Sequence, residues 1–149
     1  MIETALQNRS EQWTGRVATD AEVERLSSRL GQLVPEWLLS VSQNYPLIGS
    51  TFSLPDTDIH FQWLEPDEII ATAFEAYPGV LAYLRGYLPI GRDLSGSGDD
   101  YYLPVHEGAD PPLLRIPGEA VANEVQLLED EIVEIYPSLS GFLGVVEVG

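Results

Sequence analysis

Between Gly91 and Tyr101 the chain reads Gly-Arg-Asp-Leu-Ser-Gly-Ser-Gly-Asp-Asp-Tyr, a concentration of glycine, hydroxyl and carboxylate groups suited to holding phosphate or a cation. Three chemistries fit such a loop in outline, and each fails at one position. Gly91 and Gly96 have the spacing of a phosphate-cradling P-loop, but Ser97 stands where the phosphate lysine is required, and the chain contains no lysine. Gly96-Ser97-Gly98 opens like a dinucleotide fingerprint, yet Tyr101 fills the third glycine position, where close helix packing needs no side chain. Counted as a calcium loop from Asp93, the frame places Ser95, Ser97 and Asp99 acceptably, but Pro104 occupies the last ligand position and has no carboxylate. The stretch is therefore expected to be a structural turn, with neither metal nor cofactor.

Catalysis finds no better footing. His60 and His106 are the only imidazoles, each on an expected strand and far from the i, i+4 spacing of a helical metal pair. Without a convincing histidine base a serine nucleophile lacks its activation, and Leu94-Ser95-Gly96-Ser97-Gly98 lacks the leading glycine of a nucleophile elbow. Asp99 and Asp100 leave the turn together, but neighbours on a strand point to opposite faces and would not share a substrate. No catalytic residue is assigned. The absence of cysteine excludes disulfides, thiolate zinc sites and cysteine catalysis, and is consistent with a reducing compartment.

The elements that position these residues follow from periodicity. Residues 1–18 are weakly periodic and are expected to form a short or loosely held helix. Thr19-Asp-Ala-Glu22 is a capping box, followed at helical spacing by Val23, Leu26 and Leu30 and stopped by Gly31. Pro35 suits a first helical position, with Trp37, Leu38 and Val41 as the apolar side. Thr51–Leu54 and Ile59–Leu64 read as strands of a hairpin around Pro55-Asp56-Thr57-Asp58. Glu65-Pro66-Asp67-Glu68 opens a helix that Pro78-Gly79 stops. Further strands are expected at about Tyr87–Ile90, Tyr101–His106 and Leu113–Ile116. Residues 119–136 fit either a helix or, at Ile132–Ile135, a strand, and Pro137 is expected to start a last helix. One domain over 1–149 results, of the α+β class: a central antiparallel sheet of about four to six strands flanked by N-terminal helices, a mid-chain helix and a C-terminal helix.

Charge adds a constraint on partners. The net charge is −17, of which residues 1–50 carry −2 (six acids, four arginines) and residues 51–149 carry −15 (eighteen acids, three arginines). Such a field repels nucleic acid and attracts a basic protein. It also serves plain solubility, the simpler reading. Glu129-Asp130-Glu131 with Glu134 reads first as a solvated face, with partner binding as the alternative. No apolar run approaches the length of a bilayer span, and the first residues lack signal-peptide features, so a cytoplasmic location is expected. Tyr101 and Tyr102 must point opposite ways, so one of them is expected to face outward.

Several short motifs occur in a familiar order. Leu33-Val-Pro35-Glu-Trp37-Leu-Leu39, Tyr87-Leu-Pro-Ile-Gly91 with Gly98-Asp99 and Tyr101-Tyr102-Leu103, Pro111-Pro-Leu-Leu-Arg-Ile116, and Tyr136-Pro-Ser-Leu-Ser-Gly-Phe-Leu143 together resemble the SUKH superfamily of bacterial immunity proteins and fungal cell-wall regulators. The similarity covers about residues 19–146. It departs where Asn44-Tyr45-Pro46-Leu47-Ile48-Gly49 replaces the family's usual asparagine-glycine, and across 119–136. The resemblance implies a non-enzymatic protein that binds and neutralises a cognate toxin, frequently a nuclease. The charge independently favours a basic partner. The alternative is a regulatory or scaffold protein of the same fold with an endogenous partner. Asp93, Asp99, Asp100, Tyr102, His106, Glu107 and Asp110 are the expected acidic rim; the oligomeric state is left open.

Overall fold

The computed structural model describes residues 2–123 and 125–149; Met1 and Glu124 lie outside them. Helix α1 (Ile2–Gln7) packs Ile2 and Leu6 into the core, and the Trp13 indole donates to the Leu6 carbonyl at 3.0 Å. The Arg9 guanidinium donates to the Leu143 carbonyl at 2.7 Å and to the Val146 carbonyl. The helix is short, as one of the two expected alternatives had it, and these contacts join it to the C-terminal helix and the turn that follows.

Helix α2 (Asp20–Leu30) begins at the expected capping box: the Thr19 hydroxyl accepts from the Glu22 amide at 3.2 Å, and the Glu22 carboxylate accepts from the Thr19 amide at 3.0 Å. That carboxylate also receives both arms of Arg16 at 2.7 Å each. Arg16 extends to Glu65 as well, the residue capping α4 (Pro66–Glu75), so one guanidinium joins the N-termini of two helices. Arg25 to Asp67 at 3.1 Å runs parallel to it. After a 3-10 turn at Gly31–Leu33 comes α3 (Glu36–Asn44). Pro35 stands just outside this helix with an extended ψ of 151°, one residue earlier than expected.

Strands β1 (Thr51–Ser53) and β2 (His60–Trp63) form the expected hairpin, with Phe52 opposite Phe61. Helix α5 (Gly79–Leu84) was not anticipated, because Pro78-Gly79 reads as a terminator. Gly79 instead permits contact: a Cβ there would lie 1.9 Å from the Thr72 carbonyl oxygen, so only glycine lets the chain restart as a helix against α4. Strands β3 (Tyr87–Asp93), β4 (Tyr101–Pro104) and β5 (Leu113–Arg115) continue the meander. A small ribbon of β6 (Val121–Ala122) and β7 (Gln126–Leu127), flanked by 3-10 turns at Gly118–Ala120 and Glu129–Glu131, precedes β8 (Val133–Tyr136). The helical alternative for 119–136 is thereby set aside. Helix α6 (Leu139–Val145) starts from Ser138, not Pro137, and β9 (Glu147–Val148) returns to the sheet.

The class is α+β, and the sheet holds seven antiparallel strands in the order β8-β5-β4-β3-β2-β1-β9, somewhat more than expected. A five-strand meander is extended by β8 beside β5 and by β9 beside β1. Residues from α1, α2, α3, α4 and α6 cover the main core. Its centre is the Phe61 ring, with centroids 5.6 Å from Phe52, 6.1 Å from Trp63, 5.2 Å from Tyr101 and 5.7 Å from Phe142. Each such pair contributes about 0.5–1.5 kcal/mol beyond burial. The ring lies directly on Gly91, where a Cβ would approach Phe61 Cε2 to 2.0 Å.

Gly91→Ala is therefore expected to cost about 2 kcal/mol by overpacking, read as a lowered urea midpoint. Glu22 supplies a pH test. Hydrogen bonding to Arg16 outweighs its burial and holds its carboxyl down at about 2. Its stabilisation is complete above the ordinary carboxylate range and fades as pH falls toward about 2. Glu22→Gln is expected to remove about 2 kcal/mol at neutral pH, discounted for the half-exposed Arg16, and to flatten the acid limb of stability against pH.

Candidate functional site

The Gly91–Tyr101 loop folds around one of its own carboxylates. Asp93 is 7% exposed and accepts from the Ser95 amide at 3.2 Å, the Ser97 amide at 3.1 Å, both serine hydroxyls, and the Tyr101 hydroxyl at 3.2 Å. Gly96 and Gly98 take φ of 98° and 76°, the left-handed conformations that let the chain wrap this closely. Backbone amides arranged like an anion nest are thus already occupied by an internal anion. Burial pushes the Asp93 carboxyl up, but the Ser97 and Ser95 donors outweigh it and leave it below its ordinary value. Burial, then the Asp93 charge, pushes the Tyr101 phenol up.

Two members of the expected rim are therefore corrected. Asp93 is a buried structural acceptor, and Tyr102 is completely buried. Alternation does send Tyr101 and Tyr102 to opposite sides of β4, but neither side is open. Tyr101 joins the main core, whereas Tyr102 lies under a second cluster with Ala82, Ile116, Ala120 and Leu127. The reason lies in the 3-10 turn at Gly118–Ala120 and the β6–β7 ribbon, which roof that side of the sheet. The Tyr102 hydroxyl has no hydrogen-bond partner among the described residues.

Asp110 is also committed internally. It accepts from the Ser140 amide at 2.8 Å and from the Ser140 hydroxyl, while Ser138 Oγ accepts from the Gly141 amide at 3.1 Å, so both residues cap α6. Asp99 accepts from the Gly118 amide at 3.2 Å, fastening the roof to the loop. Asp100 is half-buried; it accepts from the Asp93 amide at 3.4 Å, and burial pushes its carboxyl up. His106 and Glu107 are exposed, but they follow β4 whereas Asp99 and Asp100 precede it. A four-residue strand separates the two groups by about 13 Å. The expected single rim is in fact two separate ends.

At the His106 end a different acidic surface assembles. The Tyr87 hydroxyl donates to Glu129 at 2.9 Å, and Arg85 reaches the same carboxylate at 3.9 Å. Burial first, then Glu129 and Glu107, push the Tyr87 phenol up, placing Glu107 in the same field. Asp130 and Glu131 follow Glu129 directly in the chain, Glu134 lies within β8, and all three are exposed. Beside it an open cleft of about 470 Å³ is lined by Leu33, Tyr83, Leu84, Arg85, Gly86 and His106, with Leu84 76% exposed. Carboxylates rimming exposed apolar side chains are suited to gripping a protein surface. Sequence reasoning weighed Glu129-Asp130-Glu131 first as a solvated face and gave Leu84 no role. Only the pairing of distant segments brings them together.

Among the described residues no three His, Asp or Glu side chains stand together to hold a metal ion, and no helix is long and apolar enough to cross a membrane. The His60 ring nitrogen Nδ1 lies 3.3 Å from the Ser53 hydroxyl. No family model, no curated protein and no solved structure matches the chain.

Replacing Asp93 by alanine strands two amides and the Tyr101 hydroxyl. It is expected to cost about 3 kcal/mol in chemical denaturation, whereas Asp99→Ala costs about 1 kcal/mol. Equal effects would mean the loop is not organised by Asp93.

Proposed function

We propose that this chain is a non-enzymatic immunity-type protein of the cell interior, binding a cognate basic toxin of the nuclease type and blocking its active surface. The observation that carries the reading is the uncompensated charge of one part of the chain. Residues 116–149 contain seven acids and no basic residue, and Glu119, Glu129, Asp130, Glu131, Glu134 and Glu147 are all exposed. A nuclease must present a basic cleft to bind phosphates, and an acidic protein complements it, accelerating encounter and excluding the substrate. The order of motifs that resembles the SUKH superfamily supports the same reading. So does the internal use of Asp93, Asp99 and Asp110, the loop and cap carboxylates that otherwise invite a chemical role.

Co-expression with the toxin encoded beside this gene tests it. Rescue of growth is expected. With purified proteins, the association rate is expected to fall at least about tenfold between 50 and 500 mM salt, with dissociation little changed. Growth arrest despite co-expression overturns the immunity reading and leaves the scaffold alternative; a flat salt response overturns its electrostatic part.

A further inference from the structure

The two ends of the sheet are unlike. β9 is two residues long, whereas β8 presents four, Val133 to Tyr136. On its inner side β8 pairs with β5, Arg115 opposite Val133 and Leu114 opposite Glu134. On its outer side no backbone group of the described residues hydrogen-bonds to residues 133–136. Proteins commonly guard such an edge with lysine, proline or a covering loop. Here Val133 is 44% exposed and Glu134 is exposed beside it. The strand is also held in shape: the Tyr136 ring packs on Phe142 with centroids 6.3 Å apart and fills the space over Gly141. A fixed, unpaired strand is a template that loses little freedom when another strand is added.

The charges around the edge select what is added. Glu129, Asp130 and Glu131 lead into β8 and Glu134 lies within it, outnumbering Arg115, the basic residue opposite Val133 on β5. An acidic or neutral segment would gain nothing from these groups, and a second copy of this edge would place like charges opposite one another. We infer that β8 accepts an extended segment of the partner by backbone pairing, and that its acids specify a lysine- or arginine-bearing strand. This deepens the toxin-binding reading and rests on it for the identity of the partner. The four-residue edge offers few backbone hydrogen bonds, so the alternating side chains of the added strand must supply selectivity: apolar against Val133, basic against Glu134.

The test uses the full chain, isotope-labelled, titrated at 50 mM salt with a capped octapeptide alternating valine and lysine; its valine–glutamate counterpart serves as control. The basic peptide is expected to shift the amide resonances of residues 133–136 and to slow exchange of those not already bonded to β5 at least about tenfold. The acidic peptide should do neither, and Glu134→Lys should weaken the basic peptide at least about tenfold. Val133→Pro, which blocks pairing without touching a charge, should abolish the exchange protection. Shifts confined to 129–131 without slowed exchange at 133–136, or no binding, overturn the inference. If the toxin is neutralised while the β8 amides stay unshifted in its complex, the edge fails and the immunity reading stands. If the peptide adds to β8 but cells are not rescued, the immunity reading fails alone.

Discussion

One aromatic ring organises this molecule. Phe61 sits where β1, β2, β4 and α6 converge, through Phe52, Trp63, Tyr101 and Phe142, and it rests on the bare backbone of Gly91 in β3. These residues span positions 52 to 142, so the ring couples segments far apart in the chain. The absence of a side chain at Gly91 lets the sheet and its covering helices close on a shared centre. Interiors pack at crystal-like density, so a methyl group at this point must move several elements at once. The arginine that ties α2 to α4 and the one that holds α6 act at the periphery of this core and fix how the helices lie over it.

The same packing decides which polar residues remain available. Two residues beyond Gly91, Asp93 lies opposite Phe61, and its carboxylate turns inward to gather the serines and Tyr101. A loop with the composition of a ligand site is in this way closed by its own side chain. Asp110 and Asp99 are used similarly, one to cap α6 and the other to fasten the roof over Tyr102. What stays exposed is the charge carried by the late part of the chain, together with the apolar cleft beside His106. Exposed carboxylates beside exposed apolar side chains are the features a protein-binding surface combines.

Much of the fold was legible because local signals were strong and agreed. The Thr19–Glu22 capping box, the Pro66 helix start and the β1–β2 hairpin all occur where their residue types place them. Other elements rest on tertiary contact. Helix α5 requires Gly79 to tuck against Thr72, and β9 forms only because α6 delivers it beside β1. Residues 119–136 became a ribbon, turns and an edge strand because Tyr102 and Ile116 needed covering, which no local pattern encodes. The site was less legible for the same reason. Counting carboxylates identified the acidic character correctly but not which acids are internal acceptors. The alternation rule placed the two tyrosines on opposite sides without revealing that both sides are roofed.

The roof itself gives the molecule two tiers of cooperativity. The small cluster of Ala82, Tyr102, Ile116, Ala120 and Leu127 shares no members with the main core. Clusters that share no side chain are coupled through the strand between them, so a change over Tyr102 reaches the aromatic centre around Phe61 by way of β4.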